Sequence, residues 1–167
     1  MIMALDLATK AGFAYGPPHE PPVSGSHRLK DGEDPPARAY KRLAQWMRDQ
    51  FCLEIPEAVF VEKPIAFLSG GGSNSSTIVM LNALVAVAHG ICGCYGVRCV
   101  EVPVASVRKR LLGRARVEGD PKRLTLENLK MRGLLKPDCF DLDESDAVAI
   151  HAFASSEYFK KQMELAP

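Results

Sequence analysis

A surplus of one charge sign is missing from this sequence: 21 basic and 20 acidic side chains leave a net +1, which alone points to no class of partner. A cysteine framework is missing too. The five cysteines (Cys52, Cys92, Cys94, Cys99, Cys139) are odd in number and irregularly spaced, which excludes a disulfide scaffold and implies reduced thiols. Cys92-Gly-Cys94 has no second ligand pair at usable spacing, so no zinc site is expected there. Met1 to Leu5 is apolar but ends at Asp6 and has no basic leading segment, so no secretory signal is expected. The longest apolar stretch, Ile78 to Cys94, is interrupted by Asn82 and His89 and reads as too short to span a bilayer. Gly70-Gly-Gly72 is not followed by Gly-Lys-Ser/Thr, which excludes a P-loop and leaves a hinge. No internal repeat or linker is visible. The expected setting is cytoplasmic.

What is present suits one globular domain over residues 1–167. Hydrophobic residues make up 47% of the chain, and a domain of 167 residues buries enough surface to hold a core without disulfides. The charges are unevenly placed. Residues 98–133 hold 10 basic and 4 acidic side chains, whereas residues 134–167 hold 3 basic and 7 acidic ones. A phosphate-contacting strip beside an acidic site and a merely solvated helical surface explain this equally well.

Met1-Ile-Met-Ala-Leu-Asp6 reads as a buried strand ending in a carboxylate. Gly12 to Gly16 resumes after a turn and forms a hairpin with it, and Val23 to Leu29 supplies a third strand. Tyr40, Leu43, Ala44, Met47 and Phe51 recur at helical spacing, which predicts a helix from Pro36 to about Leu53. Ala58-Val-Phe-Val-Glu62 is a second apolar strand ending in a carboxylate. An apolar helix follows from about Ser76 to Tyr95, then a strand over Val97 to Val102. Helices are expected from Pro103 to Leu112, Pro121 to about Arg132, and Ser145 to about Met163. Three strands followed by alternating helices and strands indicate an α/β sheet flanked by helices.

The helix from Ser76 to Tyr95 carries apolar side chains around most of its circumference. One face can pack on the sheet, and a second copy of the chain is the natural cover for the rest. The alternative cover is the pair of helices Pro103 to Leu112 and Pro121 to Arg132.

Asp6 and Glu62 each end an apolar strand, where a charge is costly unless paired or bound to metal. If those strands are neighbours, both carboxylates emerge at one sheet edge. Asp143 and Asp146 lie three residues apart at the start of the last helix and can face the same way. Each acid has a plainer use: Asp6 in a turn, Glu62 paired with Lys63, Asp143 or Ser145 as a helix cap. Together they point elsewhere. Four convergent carboxylates repel without a cation, whereas two Mg²⁺ or Mn²⁺ ions about 4 Å apart would neutralise them and make a phosphodiester-cleaving site.

These residues also carry a resemblance. Ile2-Met-Ala-Leu-Asp6 with Gly12-Phe-Ala resembles the first strand and turn of RuvC-type Holliday junction resolvases, and Val59-Phe-Val-Glu62 their second acidic strand. Asp143-Glu-Ser-Asp146-Ala-Val-Ala-Ile resembles their terminal D-x-x-D helix, the most specific of the three motifs. Order, spacing and length match over nearly the whole chain. The resemblance implies a ribonuclease H-like mixed sheet flanked by helices, a homodimer, and paired symmetric nicks across a four-way DNA junction, with Asp6, Glu62, Asp143 and Asp146 as catalytic metal ligands. It further implies DNA contacts from Arg108, Lys109 and Lys122, with Lys122 near the scissile phosphate, and from Phe67, in the loop where the family inserts an aromatic between bases. Leu-Ala-Thr after Asp6 departs from the family's Pro-Gly-Thr or Pro-Ser, a divergence similar to that of small phage-borne members.

His151 lies five residues beyond Asp146, about 140° around an ideal helix, so a core or supporting histidine is expected rather than a ligand. Other readings share these acids. A nuclease acting on flaps or RNA–DNA hybrids is one, and a non-catalytic binder of branched DNA is another, although a binder gains nothing from four repelling carboxylates. Asp6-Leu-Ala-Thr-Lys-Ala-Gly12 also resembles the first phosphate loop of actin-like kinases, which need two such domains and a longer chain.

Overall fold

The computed structural model describes residues 1–64, 75–114, 116 and 118–164. Phe67 and Gly70 to Gly72 lie outside the described residues. The elements run β1 (Ile2–Asp6), β2 (Lys10–Gly16), β3 (Val23–Arg28), α1 (Pro36–Leu53), β4 (Ala58–Glu62), α2 (Ser75–Cys94), β5 (Arg98–Val102), α3 (Val104–Leu112), α4 (Pro121–Met131) and α5 (Leu142–Glu164). The sheet order is β3-β2-β1-β4-β5. The first three strands form an antiparallel meander, while β1, β4 and β5 run parallel. This is the expected α/β architecture, a ribonuclease H-like mixed sheet with helices on both faces.

Strand alternation sorts the core into two halves. Met3, Leu5, Val59 and Val61 pack with α1 and α2 on one face. Ile2, Ala4, Ala58 and Phe60 pack with α3, α4 and α5 on the other. Asp6 and Glu62 continue the second set, so strand parity alone turns both carboxylates toward the face that α5 covers.

Helix α1 buries Ala39, Leu43, Met47 and Phe51 along one stripe, as its sequence spacing predicts. Helix α2 is long and apolar enough to cross a membrane by length and composition, contrary to the sequence reading. In this fold it is a core element, with Met80, Leu84, Val85, Ala88 and Cys92 buried against α1 and the sheet. Its outer flank stays open, and Val79 is 60% exposed. The alternative cover for this flank fails, because α3 and α4 lie on the opposite face of the sheet.

Helix α5 starts three residues earlier than the sequence predicts, because neither Asp143 nor Ser145 caps it. Asp141 does: its Oδ1 accepts from the backbone N–H groups of Asp143 (3.1 Å) and Glu144 (3.4 Å). Asp143 and Asp146 therefore sit within the first turns of the helix.

Candidate active site

The parallel register pairs Leu5 with Val61, which sets Asp6 beside Glu62 at the C-terminal ends of adjacent strands. Helix α5 crosses this edge and delivers Asp146. Helix α4 approaches from the side, its N-terminus fixed by Asp120, whose carboxylate accepts from the N–H of Lys122 at 3.0 Å and Arg123 at 3.3 Å. That cap directs Lys122 onto Asp146, with Nζ 2.7 Å from Oδ2. Asp6, Glu62, Asp146, Lys122 and Arg108 line one cleft of about 90 Å³, closed below by Val107, Thr125 and Ile150.

Close approach of α5 to the sheet depends on Gly12, which pairs with Asp6 across β1 and β2. A Cβ there would lie 1.8 Å from the backbone oxygen of Asp143. The same end of α5 is anchored by ion pairs that sequence reasoning missed. Lys10 Nζ lies 2.6 Å from Asp141 Oδ2 and 3.4 Å from Asp143 Oδ2, and Ser26 Oγ donates to Asp141 at 2.6 Å. Ser24 Oγ donates to Glu144 at 2.6 Å. Burial works against the ionised Asp141, but its bonds from Lys10 and Ser26 outweigh it and hold the carboxyl below its usual range.

The electrostatics of the cleft are those of buried carboxylates crowded together. Burial, then the charges of Glu62 and Asp146, push the Asp6 carboxyl up to about 8, with Lys122 opposing and Asp143 adding the smallest share. Burial and Asp146 raise Glu62 as well, against Lys122 and Arg108. Burial alone would lower the Lys122 ammonium, yet its hydrogen bond and charge contact with Asp146 leave it raised.

The expected site residues thus divide clearly. Asp6, Glu62, Asp146, Lys122 and Arg108 come together. Asp143 stands at the margin, engaged by Lys10 rather than facing the cleft with Asp146. Lys109 is exposed on α3 and does not line the cleft. His151 is 2% exposed, with Nε2 3.3 Å from the Gly16 carbonyl, a core histidine whose burial lowers its pKa. The donor set suits a hard divalent cation: all are carboxylate oxygens, and Glu62, Asp146 and Asp143 all repel charge on Asp6. Lys122 and Arg108 supply the opposing positive charge. Among the described residues no three His, Cys, Asp or Glu side chains converge tightly enough to hold an ion.

A five-stranded mixed sheet with acids at the ends of its two central parallel strands and a third on the crossing helix defines the ribonuclease H-like class of fold. Among its solved neighbours the fold is that of the RuvC resolvases. Thermus thermophilus RuvC in complex with a Holliday junction substrate superposes with a TM-score of 0.69 at 14% identity, over 97% of this chain and 94% of that one. A second Thermus thermophilus RuvC structure gives 0.64 at 18% identity, over 98% and 96%. The yeast mitochondrial Holliday junction resolvase gives 0.64 at 11% identity, over 98% of this chain and 83% of that one. No protein-family model matches the sequence, and no curated protein matches it as a relative. The likeness is one of fold.

Proposed function

We propose that this chain is a metal-dependent endonuclease that cuts branched DNA, four-way junctions foremost, by paired nicks. The observation that carries this reading is the cleft itself: Asp6 and Glu62 side by side on parallel strands, Asp146 facing them, and an Asp6 carboxyl pushed up to about 8 by burial and by the charges of Glu62 and Asp146. Asp6, Glu62, Asp143 and Asp146 would hold two Mg²⁺ or Mn²⁺ ions, which supply charge neutralisation and an activated water for phosphodiester hydrolysis. Lys122, released from Asp146, stands where it can meet the phosphate being cut. Arg108 at the cleft wall binds a flanking phosphate, and Lys109 extends that contact along α3.

DNA affinity should then fall steeply with salt, because each phosphate contact releases counterions. Arg108→Ala and Lys109→Ala should each flatten the slope of log affinity against log salt by about one. An unchanged slope in both variants would place the basic strip of residues 98–133 in solvent rather than on DNA.

The open flank of α2 is the surface on which two copies would pair, giving two clefts related by a twofold axis, as opposed nicks require. Light scattering at micromolar concentration should give twice the mass of one chain, and end-labelled four-way junctions should show cuts at symmetric positions on opposite strands. A mass near 18.2 kDa, with and without junction DNA, would remove the dimer. Efficient cutting of flaps or RNA–DNA hybrids with junctions left intact would move the activity to another nuclease of this fold.

A further inference from the structure

Phe140 is 81% exposed, and among the described residues no other aromatic ring is so open to solvent. Its location explains why such exposure is tolerable. The next residue is Asp141, the α5 cap, whose carboxylate is gripped by Lys10 and Ser26 on β2 and β3. On the other side Cys139 is braced twice, by its N–H to the Lys136 carbonyl at 3.1 Å and by its thiol to Glu144 Oε2 at 3.3 Å. The ring is therefore held outward from a fixed turn. Lys130 Nζ of α4 lies over it, 4.4 Å from the ring centroid.

The place matters as much as the exposure. Phe140 and Asp146 belong to the same end of α5: Phe140 stands two residues before its first residue, Leu142, and Asp146 is its fifth. Lys130 is on the helix that delivers Lys122 to the cleft. An open aromatic face beside a cation, at the same end of α5 as Asp146, matches the two parts of a nucleotide, its flat base and its phosphate. A second copy of this chain fits less well, because the unpartnered apolar flank of α2 lies on the opposite face of the sheet.

We infer that Phe140 is a stacking platform for an unpaired base of the branched substrate next to the cut site, with Lys130 drawing in the adjoining phosphate. This rests on the nuclease reading above. Phe140 would contact substrate directly.

The test uses the full chain and synthetic four-way junctions carrying 2-aminopurine at successive positions around the scissile phosphate. Binding is followed without divalent ions and cleavage with Mg²⁺. Wild-type protein should change the 2-aminopurine fluorescence at one or two positions. Phe140→Ala should lose that change and cut roughly ten-fold more slowly, and Phe140→Trp should restore both. All three proteins should melt together, since the ring packs on little. Phe140→Ala with wild-type fluorescence response and rate would overturn the platform while leaving the nuclease reading intact. A changed mass in light scattering with unchanged fluorescence would make Phe140 a subunit contact and also overturn it. Wild-type protein that neither binds nor cuts branched DNA would remove the nuclease reading, and the platform with it.

Discussion

Asp6→Asn should abolish cleavage of a four-way junction, a loss on the order of a thousand-fold or more, while leaving junction binding nearly unchanged. Asp6 is the carboxylate that all the others surround: Glu62, Asp146 and Asp143 each push its proton affinity up. Asparagine keeps its shape but cannot supply the negative charge that would hold a divalent ion. Binding should survive because the proposed phosphate contacts, Arg108, Lys109 and Lys122, are left in place. The same variant gives a thermodynamic readout in metal-free protein. An acid whose folded pKa stands near 8 against an ordinary 3.8 favours the folded state when protonated. That contribution is present below about pH 4 and is lost as the pH rises to about 8. Asp6→Asn should therefore raise the melting temperature relative to wild type at about pH 9 and not at about pH 4. Millimolar Mg²⁺ should raise the melting temperature of wild type by mass action and have little effect on the variant. A variant that cuts at the wild-type rate would remove Asp6 from the chemistry.

Among the described glycines, Gly12→Ala should be the most damaging substitution. The added Cβ would lie 1.8 Å from the Asp143 carbonyl oxygen, 2.5 Å from its carbon and 3.2 Å from Ala147 Cβ. The first two obstacles are backbone, which cannot rotate aside, so the start of α5 must move off the sheet. Overpacking of this kind costs about 3 kcal/mol, which for a chain of this size lowers the melting temperature by roughly 6–12 °C. Cleavage should fall as well, because the displaced turn carries Asp143 and Asp146. Gly90→Ala on α2 is the control, since a Cβ there meets nothing within 4 Å. It should be neutral or stabilising by up to about 1 kcal/mol. Equal melting of Gly12→Ala and wild type would contradict the close approach of α5 to β2.

Much of this was readable in the sequence, for physical reasons. The strands β1 and β4 are short apolar runs ended by an acid, a pattern whose cost makes it conspicuous. The stripe of α1 is a clear 3.6-residue period. The parity that turns Asp6 and Glu62 to one face follows once the strands are placed. The start of α5 was less legible, because Asp141, Asp143 and Ser145 all suit a cap and only tertiary contacts choose among them. The winning contacts, from Lys10 and Ser26, come from residues more than a hundred positions away. The same distance hid the partner of Asp143. Helix α2 was ambiguous because apolar character all round carries no facing information, and its side of the sheet was fixed only by packing against α1. Lys109 and Arg108 are adjacent in sequence, yet the 100° step of a helix puts one in solvent and the other in the cleft.

The central claim is that the Asp6–Glu62–Asp146 cleft cuts branched DNA with a divalent cation. Its most direct test is cleavage of a synthetic four-way junction, a replication fork and an RNA–DNA hybrid side by side, with Mg²⁺ and with chelator. The expected result is that the junction is resolved into nicked duplexes with Mg²⁺ alone, and that fork and hybrid are cut poorly or not at all. Junctions left whole by the wild-type protein, or cut equally well in chelator, would contradict it.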